Sequence, residues 1–270
     1  MNKKVLVIID IILFIFTIFI YKYIFDVETR KNIYTQESVQ LAEENEKQVF
    51  KIEKIILWSS AYAVDNSEGE LKDVDISQFT DIEIYINNLS KSQELTGENT
   101  VNEMFITNMK IETNELNRDV RLNYKNPYDC GKFVDLESWR DDGILFKILN
   151  TNKKEEEADY NQSVFFTDCS NPITLGYVNK NFLSNCEIVG EEGIISFDGA
   201  ILSKINQDLE NLNSKISFDI NLINNFNESY VCKVNFNIDL TANNKAIKSG
   251  YLKQEIIPEE KNMVFIKQNS

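Results

Sequence analysis

The sequence predicts a mainly β protein: an N-terminal transmembrane helix and a helical stalk followed by an antiparallel β-sandwich, immunoglobulin-like or similar. Three observations lead there. An apolar run of 21 residues, Val5–Phe25, opens the chain. Beyond residue 48, apolar side chains recur at every second position in one segment after another. Near the C-terminus two such segments flank an Asn-rich stretch, the pattern of an antiparallel hairpin.

As a helix the 21-residue run covers about 31 Å, which matches the roughly 30 Å hydrocarbon core of a bilayer. After Phe25 the chain reads "DVETRKNIY", with charge and bulk where a signal-peptidase site needs small residues. Residues 1–25 therefore read as an uncleaved signal anchor. Lys3 and Lys4 flank one side and Lys22, Arg30 and Lys31 the other, so the positive-inside rule does not decide the orientation. A lone span at the extreme N-terminus points to a single-pass protein of the cell membrane, N-in and C-out, with its bulk extracytoplasmic.

Asp10 is the exception inside the run. It lies five residues in, about 7.5 Å of helix, close enough to reach the headgroups or Lys3 and Lys4. That costs less than the roughly 2.5–3.5 kcal/mol of a charge at the bilayer centre. A polar contact with a partner helix is the alternative. This head also resembles type IV pilins and pseudopilins, which carry a glutamate five residues into the mature chain, on a long apolar helix leading to a β-rich head. Cleavage before Leu6 would put Asp10 in that place, although Val5 stands where the family has glycine and the acid is aspartate. The resemblance covers the first 25 residues and implies an assembly subunit.

Residues 26–48 are polar, with Val27, Tyr34 and Leu41 at intervals of seven among charged neighbours. A helical stalk is expected, not a coiled coil. Residues 49–268 form the expected extracytoplasmic domain, with a subdivision near 150–162 left open at the acidic "NKKEEEADYNQ". In "VFKIEKIILWSSAYAV", Phe50, Ile52, Ile56, Trp58, Tyr62 and Val64 alternate and predict one long strand with these side chains on its apolar face. "DIEIYINN" aligns Ile82, Ile84 and Ile86; "MFITNMKIE" aligns Phe105, Met109 and Ile111. "GILFKILN" and "GIISF" are shorter strands, each opened by glycine. Ile201, Ile205, Leu209 and Leu212 have helical spacing. The hairpin pairs Ile216–Leu222 with Tyr230–Leu240.

Chemistry is bounded mainly by exclusion. The chain has no histidine, which removes the Ser-His-Asp and Cys-His arrangements and the usual zinc ligand. Its nine glycines form no phosphate loop, and a net charge of −15 repels nucleic acid. No cofactor is expected. With 43 acids, a carboxylate pair for glycoside hydrolysis arises by chance, and no spacing singles one out. "DNSEGELKDVD", Asp65–Asp75, is oxygen-rich, but its glycine falls at the wrong place for an EF-hand loop, so it reads as a solvated loop. Of the four cysteines, Cys169 and Cys186 bracket a turn-rich segment and are the expected disulfide, leaving Cys130 and Cys232. Trp139, in "LESWRDDG", is the candidate for exposed aromatic contact.

The function expected from the sequence is a non-enzymatic, membrane-anchored bacterial envelope protein whose β-sandwich binds another protein or an envelope component. A pilin-like assembly subunit and a carboxylate-pair carbohydrate-active enzyme are the alternatives.

Overall fold

The computed structural model describes residues 48–68, 70–89, 96–113, 119–125, 143–150, 163–188, 199–201, 213–240, 247–248, 251–259 and 262–268. The expected anchor and stalk lie outside the described residues, as do the "GIISF" strand and most of the Ile201–Leu212 helix. Among the described residues no helix is long and apolar enough to cross a membrane. Gln48–Ser270 form one compact unit.

The described residues build two six-stranded sheets. The first contains β1 (Phe50–Asp65), β2 (Val74–Asn88), β4 (Asp119–Tyr124), β7 (Ile173–Cys186), β10 (Ile247–Lys248) and β11 (Tyr251–Ile256), in the order β10-β11-β1-β2-β7-β4. The second contains β3 (Val101–Glu112), β5 (Ile144–Leu149), β6 (Val164–Phe166), β8 (Ser214–Asn224), β9 (Ser229–Ile238) and β12 (Ile266–Lys267), in the order β12-β9-β8-β3-β5-β6. Pairing is antiparallel except between β5 and β6, which run parallel. That pair and the strand number differ from the immunoglobulin arrangement of seven to nine antiparallel strands.

The hairpin forms as expected, antiparallel and with the expected faces buried. Ile216 faces Phe236, Phe218 faces Val234, Ile220 faces Cys232 and Leu222 faces Tyr230, and all eight side chains are buried. Asn224 explains the turn. Its side-chain oxygen accepts from the Phe226 and Glu228 amides at 3.0 and 2.9 Å, satisfying donors that no ladder reaches.

Bulges on β1 and β3 change which residues face the core. On β1, Ile52 pairs with Ile86 and Lys54 with Tyr85, so Glu53 is the extra residue. A one-residue slip turns every later side chain over. Phe50 and Ile52 point inward before the bulge; Ile55, Leu57, Ala61 and Ala63 do so after it. Trp58, Tyr62 and Val64, expected on the core face, are therefore on the outer one. On β3, Thr107 pairs with Asp219 and Lys110 with Ser217, so Asn108 and Met109 oppose a single residue. Asn108 adopts φ 54°, which asparagine tolerates better than most residues. Met104 and Ile106 are core; Met109 and Ile111 rejoin the core beyond the bulge, and Phe105, expected beside them, faces outward.

The inner faces of the two sheets share one apolar core. Phe50 meets Tyr230 edge-on at 5.5 Å between ring centroids, and Tyr124 meets Phe146 at the same separation. Gly143 opens β5 at φ 130°, where a Cβ would fall 1.8 Å from the Ile106 carbonyl oxygen. Only glycine permits that approach. The C-terminal segment crosses between sheets, bridging Lys51 through Val264 before β12 joins β9.

The face inversion on β1 has a measurable consequence. Leu57→Ala should cost about 2–5 kcal/mol as a core deletion, and Tyr62→Ala less than about 1 kcal/mol as a surface change. Urea unfolding of the two variants checks the order; the reverse order would mean β1 faces the other way.

Candidate functional site

Of the residues singled out in the sequence, Asp10, Cys130 and Trp139 lie outside the described residues. Cys169, Cys186 and Cys232 are free thiols, so the expected Cys169–Cys186 bridge is not formed. The reason is the 14-residue strand β7 between them. Paired along Val74–Ile84 of β2, it spans about 33 Å, while the four residues from Cys169 to Ile173 reach back at most about 14 Å. The Cα atoms are thus roughly 20 Å apart or more, against the ~7 Å limit of a disulfide. Burial pushes the Cys169 thiol up to about 12, helped by Asp168. Burial also raises Cys186 and Cys232. These are packing thiols, and they give no support to an oxidising compartment.

The acidic Asp65–Asp75 loop closes on itself. Asp65 accepts from the Ser67 amide at 2.9 Å and the Leu71 amide at 3.4 Å, and Asn66 donates to Asp75 at 3.2 Å. No set of three or more Asp, Glu, Cys or His among the described residues is placed to hold a metal ion.

The outer face of the first sheet carries aromatic residues that no motif marked. Trp58 packs edge-on against Tyr251 at 6.4 Å, with the Lys253 ammonium 5.6 Å from its ring. Tyr62 (37% exposed) and Val64 (43%) continue the row along β1, and half-buried Phe79 sits on β2 opposite Ser60. Lys54 lies over the Tyr85 ring at 4.9 Å, and Tyr85 donates to Glu83 at 2.8 Å. Further along this face Lys125, almost fully buried, pairs with Asp81. Burial raises the Asp81 carboxyl, and Lys125 offsets only part of that. A sheet face turned to water normally carries polar residues, and this row departs from that pattern.

The outer face of the second sheet is mixed: Phe105 and Leu145 (49% exposed) form an apolar pair on β3 and β5, while the β8–β9 part is mainly polar. A groove of about 350 Å³ lies where the β3 bulge meets β8 and β9, lined by Asn108, Lys215, Ser217, Asp219, Lys233 and Asn235. Asn108 donates to Asp219 at 2.7 Å. One step along the same seam, Asn221 donates to Thr107 at 2.9 Å. Lys215 sits 3.6 Å from Glu112, which also binds Lys110 at 3.0 Å. Among the described residues that line the groove, Asp219 is the one carboxylate. Sequence reasoning saw the alternating polar set of β8 and β9, but the bulge that creates the groove left no composition signal.

Between the sheets, Tyr177 of β7 and Ser214 of β8 share a hydrogen bond of 2.6 Å. Ser59 and Thr80 share another at 2.8 Å, and Gln78 donates to Thr80 at 3.0 Å.

Comparison of the chain with protein-family models, curated proteins and solved structures finds no match to any of them. The class of protein is therefore defined by the fold and its surfaces alone: a two-sheet β domain with an aromatic row on the first outer face and a polar groove on the second.

Two measurements test these assignments. Because the thiols are unbridged, a reductant should leave the Tm of the intact protein unchanged; a fall of several degrees would reveal a disulfide. The second concerns alkali. Burial, offset in part by Ser214 and Asn179, pushes the Tyr177 phenol from its ordinary value of 10 up to about 12. The folded state thus holds the proton more tightly, so the stabilisation is complete below pH 10 and is lost as the pH rises towards 12. The gap corresponds to about 3 kcal/mol. Tyr177→Phe with Ser214→Ala should flatten that fall, and an unchanged alkaline profile would mean that Tyr177 does not titrate as described.

Proposed function

We propose that this protein is a non-enzymatic, single-pass membrane protein displaying an extracytoplasmic antiparallel β-sandwich that binds a protein partner in the cell envelope. The apolar run Val5–Phe25 supports the anchoring. The observation that carries the binding role is that β1 is apolar on both faces. Leu57, Ala61 and Ala63 fill the core, while Trp58, Tyr62 and Val64 occupy the outer side. Beyond the Trp58 indole N–H and the Tyr62 hydroxyl the outer set gains little from water, and aromatic residues are the side chains that anchor protein interfaces. Lys253 beside Trp58 and Lys54 beside Tyr85 give the row a polar margin of the kind seen around such contacts.

Protease added to intact protoplasts should remove the domain; complete protection would end the exported reading. A photo-crosslinking residue at Tyr62 or Val64 should give one discrete protein adduct in cells, and Trp58→Ala should abolish it. Failure to form an adduct at either position would remove the case for a partner on this face.

A further inference from the structure

We propose a second binding site, the polar groove of β3, β8 and β9, with a saccharide unit as its ligand. The groove is a built feature. Ser217 forms a low floor between the longer Lys215 and Asp219 on its own strand and Asn235 opposite. The β3 bulge opens the neighbouring ladder and aims Asn108 at Asp219, as bulges do beside functional sites. The groove lies on strands central to their sheet, in the order β9-β8-β3, whose inward residues Phe218 and Val234 are locked in the core. Its outward groups are therefore held by a rigid scaffold.

The lining selects the ligand by exclusion. At about 350 Å³ it falls in the size range of small-molecule sites, which are usually apolar. This one presents mainly ammonium, amide, hydroxyl and carboxylate groups, with Phe218 and Val234 as its two apolar lining residues. An apolar ligand would strip water from all of the polar groups without replacing its hydrogen bonds. A simple anion would be drawn by Lys215 and Lys233 but leave Asp219 without a donor, and a simple cation would be drawn by Asp219 but repelled by the two lysines. A polyhydroxylated ring satisfies both kinds of group, because each hydroxyl donates one hydrogen bond and accepts others. Asn235 and Ser217 would engage neighbouring hydroxyls, Asp219 would accept from one, and Lys233 would donate to another.

The site stands on the opposite outer face from the aromatic row, so its test is separate from that of the protein partner. The intact protein, held in a detergent without a sugar headgroup, is titrated calorimetrically with defined oligosaccharides of glucose, mannose and N-acetylglucosamine. At least one series should bind. Asn235→Ala should weaken it about ten-fold, equivalent to roughly 1.4 kcal/mol, and Ser217→Trp, which fills the groove from the solvent side, should abolish it. Trp58→Ala should bind as the unaltered protein does. Should Ser217→Trp lower the Tm, Ser217→Gln replaces it. Absence of binding by every series at millimolar concentration overturns the proposal. So does binding that survives Ser217→Trp or is lost in Trp58→Ala.

Discussion

Everything on β1 depends on one residue that has no partner. Glu53 is the extra residue between the Ile52–Ile86 and Lys54–Tyr85 pairs, and the pleat beyond it is turned over. Without that bulge Trp58, Tyr62 and Val64 would point into the core, while Leu57, Ala61 and Ala63 would face solvent. The first sheet needs small residues there, because Ala61 and Ala63 face Gln78 and Ile76 of β2 at the end where the interior becomes polar. The bulge thus supplies a close inner face and an aromatic outer face from the same 16 residues.

The two sheets are tied by more than apolar burial. The Tyr177–Ser214 bond joins β7 to β8, and the Tyr124 hydroxyl accepts from the Val164 amide at 3.2 Å. Buried polar pairs of this kind are costly when broken and so define one relative placement of the layers. The C-terminal segment does similar work with backbone atoms, since it pairs first with β1 through β11, then bridges Lys51, then joins β9. Chain crossings of this sort make the contacts long-range, and their loop-closure cost has to be met before the core forms.

The outer faces differ because their strands carry different side chains at equivalent pleat positions. On the first sheet, β1 and β11 place Trp58 and Tyr251 together with Lys253 at the margin. On the second, β8 and β9 place Ser217 opposite Asn235 and Asp219 opposite Lys233. The first arrangement gains most by excluding water, the second by exchanging water for other hydroxyl groups. A protein partner and a saccharide are the ligands proposed for these two surfaces on that ground.

The sequence by itself determined β1, β2, β3, β5, β8 and β9, because period-two alternation of apolar side chains is a local property, whereas β4, β6, β7, β10, β11 and β12 were not read from it. The β8–β9 hairpin was legible to within two residues at its ends, since alternation and the Asn-rich turn agreed. Ile82, Ile84 and Ile86 on β2 were legible for the same reason. What alternation cannot reveal is a bulge, which adds one residue and leaves the composition unchanged. Trp58 and Phe105 were therefore assigned to the wrong faces, and the groove beside Asn108 was invisible. The Cys169–Cys186 bridge failed for a related reason: a turn-like spacing of 17 residues proved to contain an extended strand. Only the tertiary structure decided which strands became neighbours, which side of each met water, and so where a ligand could bind, because those depend on pairing partners far away in the chain.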